Sequence, residues 1–181
     1  MAVPSTVTTK DMSGIYVLNS KLSDSIQTLL KMQGIGWVVR QAVQYSTITV
    51  TIKQSTDEDG KTHLDQKQVS TGGITNEEAR VLDWEWKETE NRIWGKVKGR
   101  ARIVKIDKLD DEDDYLKQGW SQDCLDEGVI ESINESITSP WTATQVFGFA
   151  EVDGQRRQIR RLVCRKGEQV ERARQVYDWK P

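Results

Sequence analysis

The first forty residues combine a strand pattern with a helical pattern. β-branched and aromatic residues alternate over residues 13–18, which is typical of a short strand. Apolar residues then recur at helical spacing, at Leu22, Ile26, Leu29 and Leu30. Gly34 and Gly36 form a turn, and residues 37–42 predict a second short helix. We therefore expect a helix-turn-helix over residues 21–44, placed to cover an opening rather than to fill a core.

From residue 47 onward, strand patterns alternate with turn residues. An Asp-Glu-Asp-Gly turn separates residues 47–54 from residues 61–70. Further strands are predicted at residues 81–87, 92–98, 100–106, 141–152, 155–165 and 169–179. Consecutive strands joined by tight turns form a meander, and a meander that closes has no free edges. The sequence therefore predicts a mainly β protein, a closed antiparallel up-and-down barrel formed by one domain over residues 13–181.

This order of elements resembles the opening of the intracellular lipid-binding proteins, the fatty-acid-binding-protein branch of the calycin superfamily. The resemblance is carried by Gly14-Ile15-Tyr16, by the Gly34-Ile35-Gly36 turn and by Arg40. It is specific over residues 13–55 and architectural beyond them, and the chain also resembles fungal lipocalin-like proteins. The resemblance implies a calycin-like barrel whose cavity holds a hydrophobic small molecule beneath the helical lid.

Residues 109–140 do not fit the pattern of that family. They begin with the acidic run 110–114. Apolar residues then follow at a spacing compatible with a short helix, at Val129, Ile130, Ile133 and Ile137. The acidic run lacks the central glycine and terminal glutamate of a calcium-binding loop, so a solvated loop is expected and no metal site. We interpret the segment as an acidic, partly helical insertion.

Composition indicates a cytoplasmic protein without a membrane anchor. The 181 residues carry a formal net charge of -2, and the pI of about 5.6 opposes binding to nucleic acid. No apolar run approaches the roughly 20 residues of a membrane span. Cys124 and Cys164 lie in dissimilar surroundings, which favours free thiols. Residues 1–12 lack the features of a signal peptide and are expected to form a disordered tail.

Arginines are concentrated on the last two predicted strands, at Arg156, Arg157, Arg160, Arg161, Arg165, Arg172 and Arg174. Alternation along a strand places Arg160 and Arg161 on opposite faces, so one of them points into the barrel. An inward arginine suits a carboxylate or phosphate, because its fork donates two parallel hydrogen bonds. The alternative is that these arginines form cross-strand ion pairs with Glu151, Glu171 and Asp178.

The resemblance also implies an arginine two residues before a tyrosine on the final strand, where it holds the ligand carboxylate. Here Arg174 and Tyr177 are three residues apart and face opposite ways on a regular strand. Either a bulge restores the pair, or Arg160 or Arg161 holds an anionic head group instead.

Tryptophan is the other candidate for contact with a ligand, with 7 residues in the chain. Trp84 and Trp86 share one face of the strand predicted at residues 81–87, and Trp37 lies in the predicted lid. Indoles offer large apolar walls, which suit a pocket for a planar or polycyclic molecule. The alternative for each indole is ordinary core packing.

Catalytic motifs are scarce. The single histidine, His63, lies in a polar strand, and we find no nucleophile elbow, phosphate loop or metal-ligand spacing. The expected ligand-binding residues are Trp37, Arg40, Trp84, Trp86, Arg160, Arg161, Arg174 and Tyr177. Our first hypothesis is a carrier of a hydrophobic small molecule with an anionic head group, without a cofactor. The alternative is a cofactor-free isomerase or cyclase that uses the same cavity, with Tyr, Asp or Glu as acid or base; a nucleic-acid or protein-binding module is least favoured.

Overall fold

One antiparallel sheet dominates the architecture of the computed structural model, which describes residues 1–181 except for the side chain of Asn91. The strands are β1 Gly14–Leu18, β2 Ile48–Thr56, β3 Thr62–Ser70, β4 Thr75–Val81, β5 Lys87–Asn91, β6 Gly95–Val104, β7 Val129–Ser136, β8 Trp141–Val152, β9 Gln155–Lys166 and β10 Gln169–Lys180. The helices are α1 Gln27–Met32 and α2 Trp37–Tyr45, between β1 and β2, and α3 Gln122–Glu127, between β6 and β7. The predicted mainly β fold with a helix pair after the first strand is confirmed.

The sheet curls in the order β4-β3-β2-β1-β10-β9-β8-β7-β6-β5. Each strand pairs with the next one in sequence except β4 with β5, and β1 also pairs with β10, so the topology is up-and-down as predicted. Strands β4 and β5 form the two ends of the hydrogen-bonded order in the described chain, so the barrel has a seam between them. At this seam the backbone N–H of Trp84 donates to the carbonyl of Ala101 at 2.9 Å, and so ties the chain after β4 to β6.

The interior contains two clusters of buried apolar residues. Tyr16, Leu64, Phe147 and Phe149 belong to the larger cluster, and all four are fully buried. The smaller cluster joins Leu29 and Met32 of α1 to residues of the last three strands: Trp141, Leu162 and Ala173. The helix pair is therefore anchored to the sheet by its apolar side.

Residues 1–12, expected to form a disordered tail, pack against the sheet instead. The Val3 and Met12 side chains are buried in the larger cluster. The backbone N–H of Val3 donates to the Arg156 carbonyl at 2.7 Å, and two Arg156 nitrogens donate to the carbonyls of Pro4 and Val7 at 3.0 and 2.9 Å. The apolar side chains are too widely spaced in this segment to give a periodic signal, so only the tertiary structure reveals their burial.

The expected insertion over residues 109–140 contains a regular strand that we interpreted as a helix. Val129, Ile130 and Ile133 lie in β7, and the helix of this region is α3, which ends at Glu127. Glu131, on the outer face of β7, is fully buried, and its carboxylate accepts hydrogen bonds from the backbone N–H groups of Asp110 and Asp111. The segment between β6 and β7 thus covers the outer face of β7, and burial on both faces removes the alternation that identifies a strand.

Two members of the acidic run, Asp111 and Asp113, are held against the arginine-rich strands, while Asp110, Glu112 and Asp114 are exposed. Asp111 receives two hydrogen bonds from Arg165, at 2.6 and 2.9 Å, and Asp113 receives hydrogen bonds from Arg172 Nε and Nη2, the shortest at 2.7 Å. The side chains of Asp111 and Asp113 are 8% and 9% exposed. The hydrogen bond from Arg172 lowers the pKa of Asp113 from its ordinary value, although burial opposes this.

No helix among the described residues is long and apolar enough to cross a bilayer.

Candidate functional site

A cavity of about 270 Å³ lies between the sheet and the helix pair. The helices line it with Leu29 and Leu30 of α1 and with Val39 and Val43 of α2. Polar side chains of the facing strands line the rest, among them Gln66, Glu78, Arg80, Ser132, Asn134, Gln145, Arg160, Gln175 and Tyr177. The cavity is therefore amphipathic, with an apolar lid and a polar interior, a composition that suits a small organic molecule with one polar end.

Arg160 is the most unusual group in the cavity. It is 3% exposed, and its guanidinium lies 4.9 Å from the Phe147 ring centre and 4.6 Å from that of Tyr177. Its Nε and Nη2 atoms are buried and have no hydrogen-bond partner within the chain as described. Burial lowers the pKa of Arg160 from its ordinary value, yet an arginine keeps its proton in a protein. Arg160 thus presents a buried positive charge with free donors to whatever enters the cavity.

A second charged group lies opposite, on β4. The guanidinium of Arg80 contacts the Glu78 carboxylate directly and donates from Nε to Ser132 Oγ at 3.3 Å, across the seam to β7. Asn76 Nδ2 donates to Glu78 Oε1 at 2.7 Å. Burial would raise the pKa of Glu78, but Arg80, Asn76 and Arg160 outweigh it and hold that pKa below its ordinary value. Glu78 is therefore a carboxylate at neutral pH.

Tyr177 completes the polar interior. Its hydroxyl donates to Gln175 Oε1 at 3.0 Å, and its ring lies beneath the Arg160 guanidinium. Burial raises the pKa of Tyr177 above its ordinary value, although Arg160 opposes this shift. The phenol therefore stays neutral and acts as a hydrogen-bond donor.

Trp84 and Trp86, which we expected to contact a ligand, do not line the cavity. Strand β4 ends at Val81, and Trp84 adopts a positive φ of 62° in the segment that follows. The guanidinium of Arg100 stacks on both indoles, at 3.9 Å from Trp84 and 4.6 Å from Trp86. Arg102 also stacks on Trp84 at 3.9 Å. Lys98, Arg100 and Arg102 alternate with the inward residues of β6, so both indoles lie outside the sheet.

The lid residues Trp37 and Arg40 do not reach the cavity either. Trp37 is 66% exposed at the start of α2. Arg40 instead stabilises the helix pair: its Nη1 donates to the Ile35 carbonyl at 2.7 Å, and its own carbonyl accepts from Gln27 Nε2 at 2.8 Å. These contacts connect the two helices across the glycine turn.

Of the four expected residues on β9 and β10, the cavity contains Arg160 and Tyr177. Arg161 faces outward beneath the insertion, where its guanidinium lies 4.9 Å from the Tyr115 ring centre. Arg174 also faces outward and donates from Nη2 to the Leu22 carbonyl at 3.3 Å. The strand register fixes this division, because Arg160 pairs with Phe147 and Gln175 while Arg161 pairs with Val146 and Arg174.

Sequence reasoning missed Glu78, Arg80 and Phe147. Asn76, Glu78 and Arg80 alternate along β4 with Glu77 and Ala79, which are exposed. A strand without an apolar face gives no signal of which face is buried. The only available indication was the period-2 spacing of the three polar side chains.

Cysteine and metal chemistry have little support in the geometry. Cys124 and Cys164 are buried free thiols. Burial raises the pKa of Cys124, and it raises that of Cys164 to about 11. Among the described residues, no group of three or more His, Cys, Asp and Glu side chains could hold a metal ion.

The fold and its cavity define the class of the protein as a fatty-acid-binding-protein-like β-barrel. Fatty acid binding protein 1 of Echinococcus granulosus is similar in structure, with a TM-score of 0.56, 12% identity, and 93% of this chain and 97% of that chain covered. The fluorescent protein UnaG is also similar, with a TM-score of 0.56, 13% identity, and 93% and 96% covered. At such identities the likeness concerns the fold alone. No protein-family model matches the chain.

Sequence relatives identify the family within that class. The chain is 35% identical over 184 residues to the pericyclase pydY of Acremonium sp, which covers 99% of this chain and 97% of the relative. It is 29% identical over 180 residues to the probable pericyclase scpY of Mollisia scopiformis, covering 98% and 94%. The chain therefore belongs to the pericyclase family.

These relatives overturn our first functional hypothesis. The resemblance to fatty-acid-binding proteins correctly indicated the fold, but the carrier function that it implied is wrong for a chain whose near-full-length relatives are pericyclases. The barrel has been retained while the function differs, as happens for many common folds. The cyclase that we held as the alternative agrees better with the relatives.

Proposed function

We propose that this protein is an enzyme that closes a ring in a hydrophobic, polyunsaturated substrate by a pericyclic reaction inside the barrel. The observation that carries the proposal is the 35% identity to the Acremonium pericyclase over nearly the whole of both chains. The cavity of about 270 Å³, lined by the lid helices and by Arg160, supplies a site for that reaction.

A pericyclic ring closure suits this type of site. Bonds form and break in one cyclic redistribution of electrons, so atoms balance without a proton transfer, a leaving group or an external oxidant. Part of the barrier is the entropy of folding a flexible chain so that its reacting carbons meet, and holding that conformation contributes several kcal/mol, up to about 7 to 11 in favourable cases. A cavity closed by apolar side chains such as Leu29, Leu30 and Val43 can hold a polyene in this way.

Arg160 provides the second contribution. Its free N–H groups, buried beside Phe147 and Tyr177, donate to a carbonyl oxygen at the polar end of the substrate. Such donation fixes the direction in which the substrate lies, and it reduces the electron density that this oxygen, neutral or anionic, delivers to a conjugated alkene. Because the site is largely shielded from water, a charged donor is worth more there than in solution. Arg160 is therefore the catalytic residue of the proposal.

The test is a ring-closure assay. A linear substrate in which a short chain joins a conjugated diene to a carbonyl-activated alkene is incubated with and without the purified protein, and products are separated by chiral chromatography. The proposal expects faster ring closure and one dominant stereoisomer with the protein. A panel of such substrates that closes at the same rate and with the same isomer ratio in buffer alone would refute it.

The buried free thiols Cys124 and Cys164 support a reducing compartment, and we propose that the enzyme acts in the cytoplasm.

A further inference from the structure

Three charged side chains form the floor of the cavity: Glu78, Arg80 and Arg160. Glu78 and Arg80 are directly paired, and the low pKa of Glu78 keeps its negative charge. Arg160 has no carboxylate partner among its hydrogen bonds in the described chain, so the floor carries one uncompensated positive charge. A buried charge without a partner is costly, and that cost is tolerated where a ligand supplies the opposite charge.

The floor also has more hydrogen-bond donors than the protein uses. Arg80 donates from Nη2 to Glu78 and from Nε to Ser132, while its Nη1 is buried without a partner in the described residues. Arg160 has two such atoms, Nε and Nη2. The two guanidinium groups lie near the same aromatic ring, at 5.5 Å and 4.9 Å from the centre of Phe147. Free donors from two strands therefore lie near the same ring, and Arg80 is close enough to Arg160 for its charge to lower the pKa of Arg160, after the larger effect of burial.

Other charges around the cavity do not cancel the charge of the floor. Glu77, Glu85, Lys87 and Glu90 lie at the rim and are exposed to solvent. Arg100, on the outer face of β6 at the edge of the cavity, pairs with Asp110 at 2.9 Å. Water and salt screen exposed charges strongly, whereas buried charges are screened much less. The floor therefore determines the charge that a bound molecule meets.

From these observations we infer that the substrate binds as a monoanion whose charge is shared by two oxygens, one held by Arg160 and the other by Arg80. This inference rests on the proposed function and narrows its substrate class to a carboxylate or the enolate of a 1,3-dicarbonyl compound. A single negative charge neutralises the floor, whereas a neutral carbonyl leaves the charge of Arg160 uncompensated. Two oxygens use the donors of both guanidinium groups, which match planar oxygen pairs well. Glu78 is a positioning residue in this arrangement, because it holds Arg80 in place.

The test compares two compounds of nearly the same shape. 2-Hexanoylcyclohexane-1,3-dione is ionised at neutral pH and shares its charge between oxygens, while its methyl enol ether is neutral. Isothermal titration calorimetry of the wild-type protein is expected to show at least tenfold tighter binding of the dione. Arg160→Met and Arg80→Met should each reduce this ratio by tenfold or more, and Arg161→Met, on the outer face of the same strand, should leave it unchanged.

Equal affinities for the two compounds, or no binding of the dione, would overturn the inference. The comparison within the wild-type protein needs no variant, so a variant that fails to fold does not affect it. Because the measurement concerns binding, it is independent of turnover. Ring closure without a preference for the anion would leave the proposed function standing and remove only the monoanion; the preference without ring closure would do the reverse.

Discussion

Replacement of Arg160 by methionine separates a catalytic role from a structural one. Methionine fills most of the space of the arginine stem and can pack against Phe147 and Tyr177, but it carries no charge and no donors. If Arg160 acts on the substrate, its loss removes a charge-assisted hydrogen bond that strengthens as the reaction proceeds. Loss of one such donor costs about 2.7 to 4 kcal/mol, or roughly 10² to 10³ in kcat.

The stability of the same variant should change in the opposite direction. Arg160 contributes two guanidinium-ring contacts, at 4.9 and 4.6 Å, each worth about 0.5 to 2 kcal/mol. These favourable contacts are opposed by the cost of burying a charge two of whose nitrogens have no hydrogen-bond partner in the described chain. Replacing buried ionic groups by apolar side chains of similar size is often neutral or stabilising by about 1 to 4 kcal/mol. We therefore expect the free energy of unfolding of Arg160→Met to equal or exceed that of the wild type.

Urea denaturation followed by tryptophan fluorescence measures the stability, and the ring-closure assay measures kcat/KM. Arg161→Met is the matched control, because the neighbouring residue faces outward beneath the insertion, and its activity should be that of the wild type. An Arg160→Met protein that retains full activity, or that loses 3 kcal/mol or more of stability, would refute this assignment and make Arg160 a structural residue.

Three further predictions concern the cavity, the insertion and the N-terminal segment. Ala143→Leu extends a side chain into the cavity and should lower kcat/KM at least tenfold without loss of stability. Ala150→Leu, in the packed core away from the cavity, should instead lower the free energy of unfolding in urea by about 1 to 3 kcal/mol. Asp113→Asn removes the negative charge and one of the two oxygens that accept hydrogen bonds from Arg172, and it should lower the free energy of unfolding by about 1 kcal/mol at pH 7. Since the pKa of Asp113 is lowered in the folded state, the difference in stability between the two proteins has its full size above the unfolded pKa of about 3.9 and disappears as the pH falls through the folded pKa. Denaturation curves that coincide for the two proteins at pH 7 would contradict this prediction. Deletion of residues 1–12 removes the buried side chains of Val3 and Met12 and should lower the free energy of unfolding by about 3 to 6 kcal/mol, at about 1.5 to 3 kcal/mol for each side chain. Unchanged stability would indicate that the segment is a disordered tail.

Local patterns predicted the elements whose environment is simple. The last three strands, β8 to β10, were predicted within one residue at each end because tight Asp-Gly and Lys-Gly turns separate them. The helix pair was recognisable from its apolar stripe and from the glycine turn. In both cases the neighbouring residues along the chain determine the structure.

Elements whose structure depends on contacts between distant parts of the chain could not be predicted from local patterns. Strand β7 has a buried outer face because the insertion covers it, so Val129, Glu131 and Ile133 give no alternation. The indoles of Trp84 and Trp86 are attracted to the outer face of β6 by Arg100 and Lys98, which follow them in sequence by at least twelve residues.

The candidate site was predicted only in part for the same reason. The sequence placed Arg160 and Arg161 on opposite faces of one strand, but only the pairing of β9 with β8 and β10 decides that Arg160 is the inward one. The pair of Glu78 and Arg80 reaches the site from β4, on the far side of the seam, and no spacing in the sequence connects it with Arg160.

The most direct test of the account is the stereochemistry and rate of ring closure by the wild-type protein, measured beside Arg160→Met and Ala143→Leu on the same linear diene substrates. We expect one dominant stereoisomer to form with saturation kinetics in the wild-type protein, and the rate to fall at least tenfold in both variants. Ring closure that matches the reaction in buffer in rate and isomer ratio, or that is equally fast in all three proteins, would show that the cavity is not where the reaction is catalysed.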